Sequence, residues 1–257
     1  MKLNEKLSVC VVTHIVDADT NPYIENKMIE DTILSSHKKL NLGDVKYYVY
    51  IDSKFKTSHN DLYKKYEKYL MDLFEGDKFK NINVEIVSDS KQSQRDNYID
   101  CVTRCNTPYM LFLEHDWEFV MDIPTEKILS TLDSAEYIKY LRFNRFTDKN
   151  YFWDKMFETV YDLDIPVTKI TYFSGNPHII RTCTFIDEYL PTLYQYYPEP
   201  NSAAFERDFF PIINDYIQEF GVEKTNLYWG TYCYEHLTES NTSNLHIKHL
   251  GDWCRKK

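Results

Sequence analysis

Glu114, His115 and Asp116 end the apolar run of "YMLFLEHDWEF", Tyr109–Phe119. A buried strand that runs straight into two carboxylates and an imidazole carries its chemistry at its carboxyl end. In an open α/β sheet, ligands bind beyond that end of the strands. Carboxylate oxygens placed there suit Mg2+ or Mn2+ bridged to a diphosphate. In extended chain the i, i+2 spacing puts Glu114 and Asp116 on one side, with His115 facing away. An acidic loop after a strand is the plainer alternative for so common a triplet.

Other chemistries lack their motifs. There is no HExxH and no close His cluster for a zinc hydrolase. Neither a Walker A loop nor G-x-G-x-x-G occurs, so P-loop and dinucleotide readings lack a phosphate grip. The six cysteines form no CxxC pair and read as reduced, packed thiols. Cys101 and Cys105 are i, i+4 neighbours on a predicted helix, which supplies only two metal ligands.

The elements that must position these residues alternate along the first 120 positions. "LSVCVVTHI" reads as a strand covered on both faces. In "NPYIENKMIEDTILSSHKKL", Asn21 is a natural N-cap, Pro22 suits the first helical position, and Lys38 and Lys39 suit the end. "VKYYVYID" is a second strand. "HNDLYKKYEKYLMDLF" carries a helical stripe at Leu62, Tyr66, Tyr69, Leu70 and Leu73. "INVEIVSD", "SQRDNYIDCVTRC" and "YMLFLEHD" add a strand, a helix and a fourth strand. This alternation predicts an α/β fold with an open, mostly parallel sheet flanked by helices.

After position 120 the pattern becomes mixed. Helical "PTEKILSTLDSA" is followed by "YIKYLRF", by strands up to "YFSGNPHII", and by helical "FERDFFPIINDYIQEF", in which Pro211 predicts a break or kink. No Gly/Ser/Pro-rich linker separates the halves. The expectation is one domain over 1–257, with a Rossmann-like nucleotide half to about 120 and an acceptor half from about 121.

A net charge of −10 leaves no basic excess for a nucleic-acid partner. No apolar run of about 18 residues predicts a membrane span, and "MKLNEKLSVC" lacks a leader's apolar core, so a cytoplasmic protein is expected.

The stretch "QSQRDNYIDCVTRCNTPYMLFLEHDWEF" resembles the family 2 and related GT-A glycosyltransferases. There a helix bearing an Arg-Asn pair precedes a turn, an apolar strand and a metal-binding D-x-D. Arg95 and Asn97 hold the helix positions here, with Asp96 between them. Glu114 takes the place of the first Asp, and Asp116 is the last. The resemblance implies donor contacts from Thr13, His14, Asp52, Arg95, Asn97, Glu114 and His115. It likens "FSGNPHIIR" to the glycine loop beneath the donor sugar, with Gly175 and Asn176, although a plain Gly-Asn-Pro turn fits too. It likens "KHLGDW" to the segment that completes the metal site, with His249 as ligand and Lys248 facing the phosphates. It places a catalytic base at the start of the helix after the glycine loop, where "AAFERDFF" offers Glu206 first and Asp208 as runner-up. The helix dipole there favours the ionised form that a base needs.

The expected activity is then a glycosyltransferase, hexosyl or deoxyhexosyl, using a UDP-, GDP- or dTDP-sugar, a glycan acceptor, and Mn2+ or Mg2+. Aromatics in "RFTDKNYFWDKMF" and "YWGTYCYEH" suggest an acceptor groove lined by one or two of Tyr151, Trp153 and Trp229, with Asp148, Asp154 and Glu235 as polar partners. Core packing is the competing reading. A nucleotidyltransferase on a similar fold is an alternative, but "THIVDADTNP" lacks its Gly/Arg/Lys-rich phosphate loop. A non-catalytic carbohydrate-binding protein is another, because the triplet is altered to E-H-D.

Overall fold

The β-branched run forms β1 (Leu7–Thr13), and every residue of it is buried. The computed structural model describes residues 2–13, 27–52, 60–87, 90–91, 93–144, 159–197, 205–235 and 246–250. Within them, β2 (Lys46–Ile51), β3 (Asn83–Val87) and β4 (Tyr109–Glu114) lie parallel to β1 in the order β3-β2-β1-β4. The same sheet continues through β9 (His178–Arg181), β6 (Tyr140–Arg142), β10 (Thr231–Tyr234), β8 (Val167–Lys169) and β7 (Thr159–Val160). Among these nine strands β9 and β8 run against the others, so the sheet is mostly parallel with a mixed second half.

The period of two along a strand divides the core. Leu7, Val9 and Val11 of β1 join Tyr109, Leu111 and Leu113 of β4 in one buried cluster. Cys10 and Val12 join Met110 and Phe112 in the other. Both faces are therefore covered, as a continuous apolar strand requires.

The helices are α1 (Leu3–Lys6), α2 (Met28–Lys39), α3 (Asn60–Phe74), α4 (Gln94–Arg104), α5 (Thr125–Ser134), α6 (Thr182–Thr184), α7 (Leu190–Tyr196), α8 (Phe205–Phe220) and α9 (Val222–Trp229). Ser93 caps α4 by accepting the Asp96 N–H at 3.0 Å. The expected Asn21 cap and Pro22 lie outside the described residues; α2 follows Lys27, which has φ 53°. The break expected at Pro211 is absent, and α8 runs through it. Pro211 and Arg207 are both exposed, so water can satisfy the carbonyl that loses its N–H partner.

Gly230 closes α9 at φ 56°, and its carbonyl accepts the N–H groups of Lys139 (2.9 Å) and Tyr140 (3.1 Å) at the start of β6. An added Cβ would lie 2.4 Å from the Tyr137 carbonyl oxygen, in a left-handed conformation that already disfavours side chains. Gly230→Ala is expected to cost about 2 kcal/mol or more in urea unfolding. An unchanged midpoint would mean that the chain passes this junction with room to spare.

Candidate active site

The chain runs from β1 to β2 and β3 on one side, then returns to place β4 on the other. This reversal opens a crevice at the carboxyl ends of β1 and β4. Thr13, Asp52 and Glu114 all reach this edge, since Thr13 pairs with Ile51 and Val12 with Glu114. Thr13 itself is turned inward. Its hydroxyl lies 2.6 Å from that of Tyr66, and its carbonyl accepts the Asp52 N–H at 2.8 Å. Asp52 stands half-buried beside it.

The chain does not stay extended from Glu114 to Asp116, as the spacing argument assumed. His115 and Asp116 form a turn between β4 and β5 (Trp117–Phe119). Glu114 accepts from the Gln94 amide and, at 3.3 Å, from Trp117 Nε1. Asp116 Oδ2 lies 3.0 Å from His249 Nε2. The C-terminal strand β11 (Ile247–His249) places that imidazole: it pairs antiparallel with β5, and the Leu250 N–H donates to the Asp116 carbonyl at 2.7 Å. The Trp117 ring meets the His249 ring edge-on at 4.8 Å. Lys248, one residue earlier, is exposed opposite Glu118.

Glu206 comes to the same place from α8. Its carboxylate rests against Gly175, where an added Cβ would meet both oxygens at 3.4 Å. Among the described residues its Oε2 is buried without a hydrogen-bond partner. Burial pushes the Glu206 carboxyl above the usual range, and the neighbouring Asp208 carboxylate adds to the shift. Glu114 is pushed up by burial first, then by the charges of Asp116 and Glu206. Three carboxylates therefore share one field.

Several residues with an expected ligand role are committed elsewhere. Asp208 and Arg95 are both buried and form an ion pair at 3.0 Å. Asn97 is buried, accepting the Lys91 N–H at 2.6 Å and donating to the Lys91 carbonyl at 3.1 Å. His115 is buried beneath the turn, and burial lowers its pKa. Trp229 is wholly buried among Phe173, Tyr189, Phe209 and Tyr216, so it is core and not groove. Glu235 is buried too and accepts from Thr168 at 2.8 Å. His14, Asp148, Tyr151, Trp153 and Asp154 lie outside the described residues. Residue type alone does not single out Gln94 and Trp117, which hold Glu114, although both are sequence neighbours of suspected site residues.

Among the described residues no three His, Cys, Asp or Glu side chains gather into a metal-binding set. Asp116 and His249 offer a two-donor pair, and Glu114 is turned to Gln94 and Trp117. No described helix is long and apolar enough to cross a membrane.

No protein-family model and no curated protein matches the chain. Among solved structures it resembles GalNAc-T7, crystallised with UDP, GalNAc and Mn2+, at 10% identity and a TM-score of 0.51 over 95% of this chain and 43% of that one. It is also similar to S. aureus TarS 1-349 at 14% identity and a TM-score of 0.46, over 88% of this chain and 57% of that one. A 4-diphosphocytidyl-2C-methyl-D-erythritol synthase from Anaerococcus prevotii gives 13% identity and a TM-score of 0.44, over 94% and 91%. The likeness to GalNAc-T7 is one of fold. The chain spans about half the length of the two glycosyltransferase chains.

Removing one member of a buried ion pair strands the other charge. Asp208→Ala is expected to cost about 3–5 kcal/mol in chemical denaturation. Replacing both partners, with Arg95→Met and Asp208→Leu, should recover most of it. A mild single variant would mean that water reaches Arg95.

The raised carboxyl of Glu206 has a pH signature. Such a group stabilises the fold fully below its ordinary value, and this contribution is lost as pH rises through the raised value. Glu206→Gln should therefore raise the melting temperature of the metal-free protein near neutral pH, with the gain fading at about pH 4. A gain independent of pH would point to packing rather than charge.

Proposed function

We propose that this chain is a glycosyltransferase that moves a sugar from a nucleotide-sugar donor to a hydroxyl of a glycan acceptor, with inversion. The observation that carries the reading is that Glu206 and Asp116, the latter beside His249, both lie near enough to act on the Glu114 carboxyl at the end of β4. The GT-A-like fold supports it.

In this reading Glu206 is the base. Asp208 is fully buried against Arg95, which leaves Glu206 as the acid at the start of α8 that meets the site. Its carboxylate takes the proton of the acceptor hydroxyl. The hydroxyl oxygen bonds to the anomeric carbon on the face opposite the donor phosphate. The bond from that carbon to the phosphate oxygen breaks, and the diphosphate leaves with the electron pair. A raised pKa makes Glu206 a stronger base than a surface carboxylate, provided that it is ionised.

Asp116 and His249 would hold the divalent ion, one carboxylate and one imidazole, with the remaining positions left to phosphate and water. This mixed N/O pair suits Mn2+ better than Mg2+, which prefers oxygen alone. When such an ion is bound, charge on the departing phosphate is neutralised there. Lys248, exposed beside it, would face the phosphates, and Asp52 would face the base or ribose. Tyr151 and Trp153 remain the acceptor candidates.

A screen of UDP-, GDP- and dTDP-sugars for Mn2+-dependent turnover tests the activity. With the donor found, Asp116→Ala should abolish Mn2+-dependent nucleotide binding in calorimetry while the fold survives. Glu206→Gln should keep donor binding and slow transfer by roughly 10²–10⁴-fold. The wild-type rate should rise with pH through a midpoint above the ordinary carboxylate range, and the variant should lose this limb. No turnover with any donor, with or without Mn2+, would favour a non-catalytic carbohydrate-binding protein.

A further inference from the structure

Gly175 is not at positive φ, so backbone conformation does not explain a glycine there. What it permits is contact. The Glu206 carboxylate lies flat against it, with an added Cβ 3.4 Å from both oxygens and 3.5 Å from Cδ. Alanine would touch the carboxylate at ordinary van der Waals distance, whereas the methyls of valine would occupy its place.

The turn that carries Gly175 is clamped from below by two buried side chains. The Tyr140 hydroxyl donates to the Ser174 carbonyl at 3.0 Å and accepts the Ser174 N–H at 3.1 Å. His178 Nδ1 lies 2.8 Å from the Asn176 carbonyl and Nε2 lies 2.9 Å from the Tyr98 hydroxyl. A carbonyl only accepts, so the proton sits on Nδ1, and Tyr98 donates to Nε2. Burial holds the His178 pKa down at about 3, so the ring stays neutral and the clamp does not change near neutral pH. The Phe143 N–H donates to the Pro177 carbonyl at 2.9 Å. Backbone on both sides of Gly175 is thereby pinned. From the other direction the Arg95–Asp208 pair pins α8 two residues beyond Glu206.

We infer that the Ser174–Asn176 turn is a positioning element for Glu206: the carboxylate packs beside Gly175 with room for no more than a methyl group between them, and Tyr140 and His178 act through the turn to set where it meets the acceptor hydroxyl. This rests on Glu206 being the base. It gives Gly175 a role toward the protein's own carboxylate instead of the donor sugar. Displacing a reacting group by about 1 Å can cost on the order of 10²-fold in rate, so a rigid rest for the carboxylate matters.

Two measurements test it. The first needs no activity: the fall in urea midpoint caused by Gly175→Val is compared in the Glu206 protein and in a Glu206→Ala background. A clearly smaller fall in the second is expected, because the side chain that valine displaces is gone. Equal falls overturn the contact, whatever the protein's function. The second uses the donor identified by the screen. Gly175→Val and Tyr140→Phe should each lower kcat for transfer, by roughly 10²-fold for valine, and leave the donor KM unchanged. Gly175→Ala should keep most of the rate. In a Glu206→Gln background the same substitutions should cost nothing further. Equal fold-losses with and without the Glu206 carboxylate, or a loss shared by kcat and donor KM, overturn the positioning role while leaving the glycosyltransferase reading intact. Absence of turnover with every donor removes that reading instead.

Discussion

The buried ion pair between Arg95 and Asp208 ties the two parts of the chain together where the chemistry would occur. Charges taken out of water are costly unless matched, and the cost of parting them exceeds the gain of joining them. The helices that carry them are therefore locked in register. Gln94, next to Arg95, grips Glu114 at the end of β4. Glu206 lies two residues before Asp208, at the start of α8. One buried pair thus fixes the two glutamates in relation to each other, although their charges oppose that arrangement.

The remaining site residues are brought in by backbone pairing. Asp116 and His249 are far apart in the chain and meet because β11 zips onto β5. The ribbon is secured further along by His246, which is wholly buried. Its Nδ1 accepts the Asn144 N–H at 3.0 Å, and its own N–H donates to the Asn144 carbonyl at 2.8 Å. Asn144 lies two residues beyond the end of β6, so the same contacts join the ribbon to the main sheet. The position of His249 is a property of sheet register more than of its own side chain.

Elements with a strong periodic signal were legible from residues alone. β1 and β4 are continuous apolar runs, and the structure covers both of their faces. The polar residues were harder to place. Arg95, Asn97, His115 and Asp208 have the types and spacing of ligand contacts, yet each is buried on a protein partner or beneath a turn. Residue type reports what a side chain can bond to, and only the fold decides whether the partner is a ligand or a distant backbone. Trp229 fails for the matching reason: an aromatic-rich segment suits a groove, but packing against Phe173, Tyr189, Phe209 and Tyr216 makes it core. The turn at His115 and Asp116 is hidden because neither residue type marks where the strand stops.

The charge balance of the edge constrains any ligand more sharply than its shape. Glu114, Asp116 and Glu206 contribute up to three negative charges; burial raises the carboxyls of Glu114 and Glu206, and the charges of Asp116 and Glu206 raise Glu114 further. Among the described residues Arg207, whose charge acts on Glu206, and the exposed Lys248 bring positive charge to this edge, on a chain of net charge −10. A diphosphate entering alone would meet repulsion that a low-dielectric crevice strengthens. A cation held by Asp116 and His249 reverses the local sign, because a bound ion is often the largest charge in its site. In the proposed reading electrostatics would link the donor to the ion: a diphosphate alone would be repelled by these carboxylates, whereas with a cation held first it would meet an offset charge.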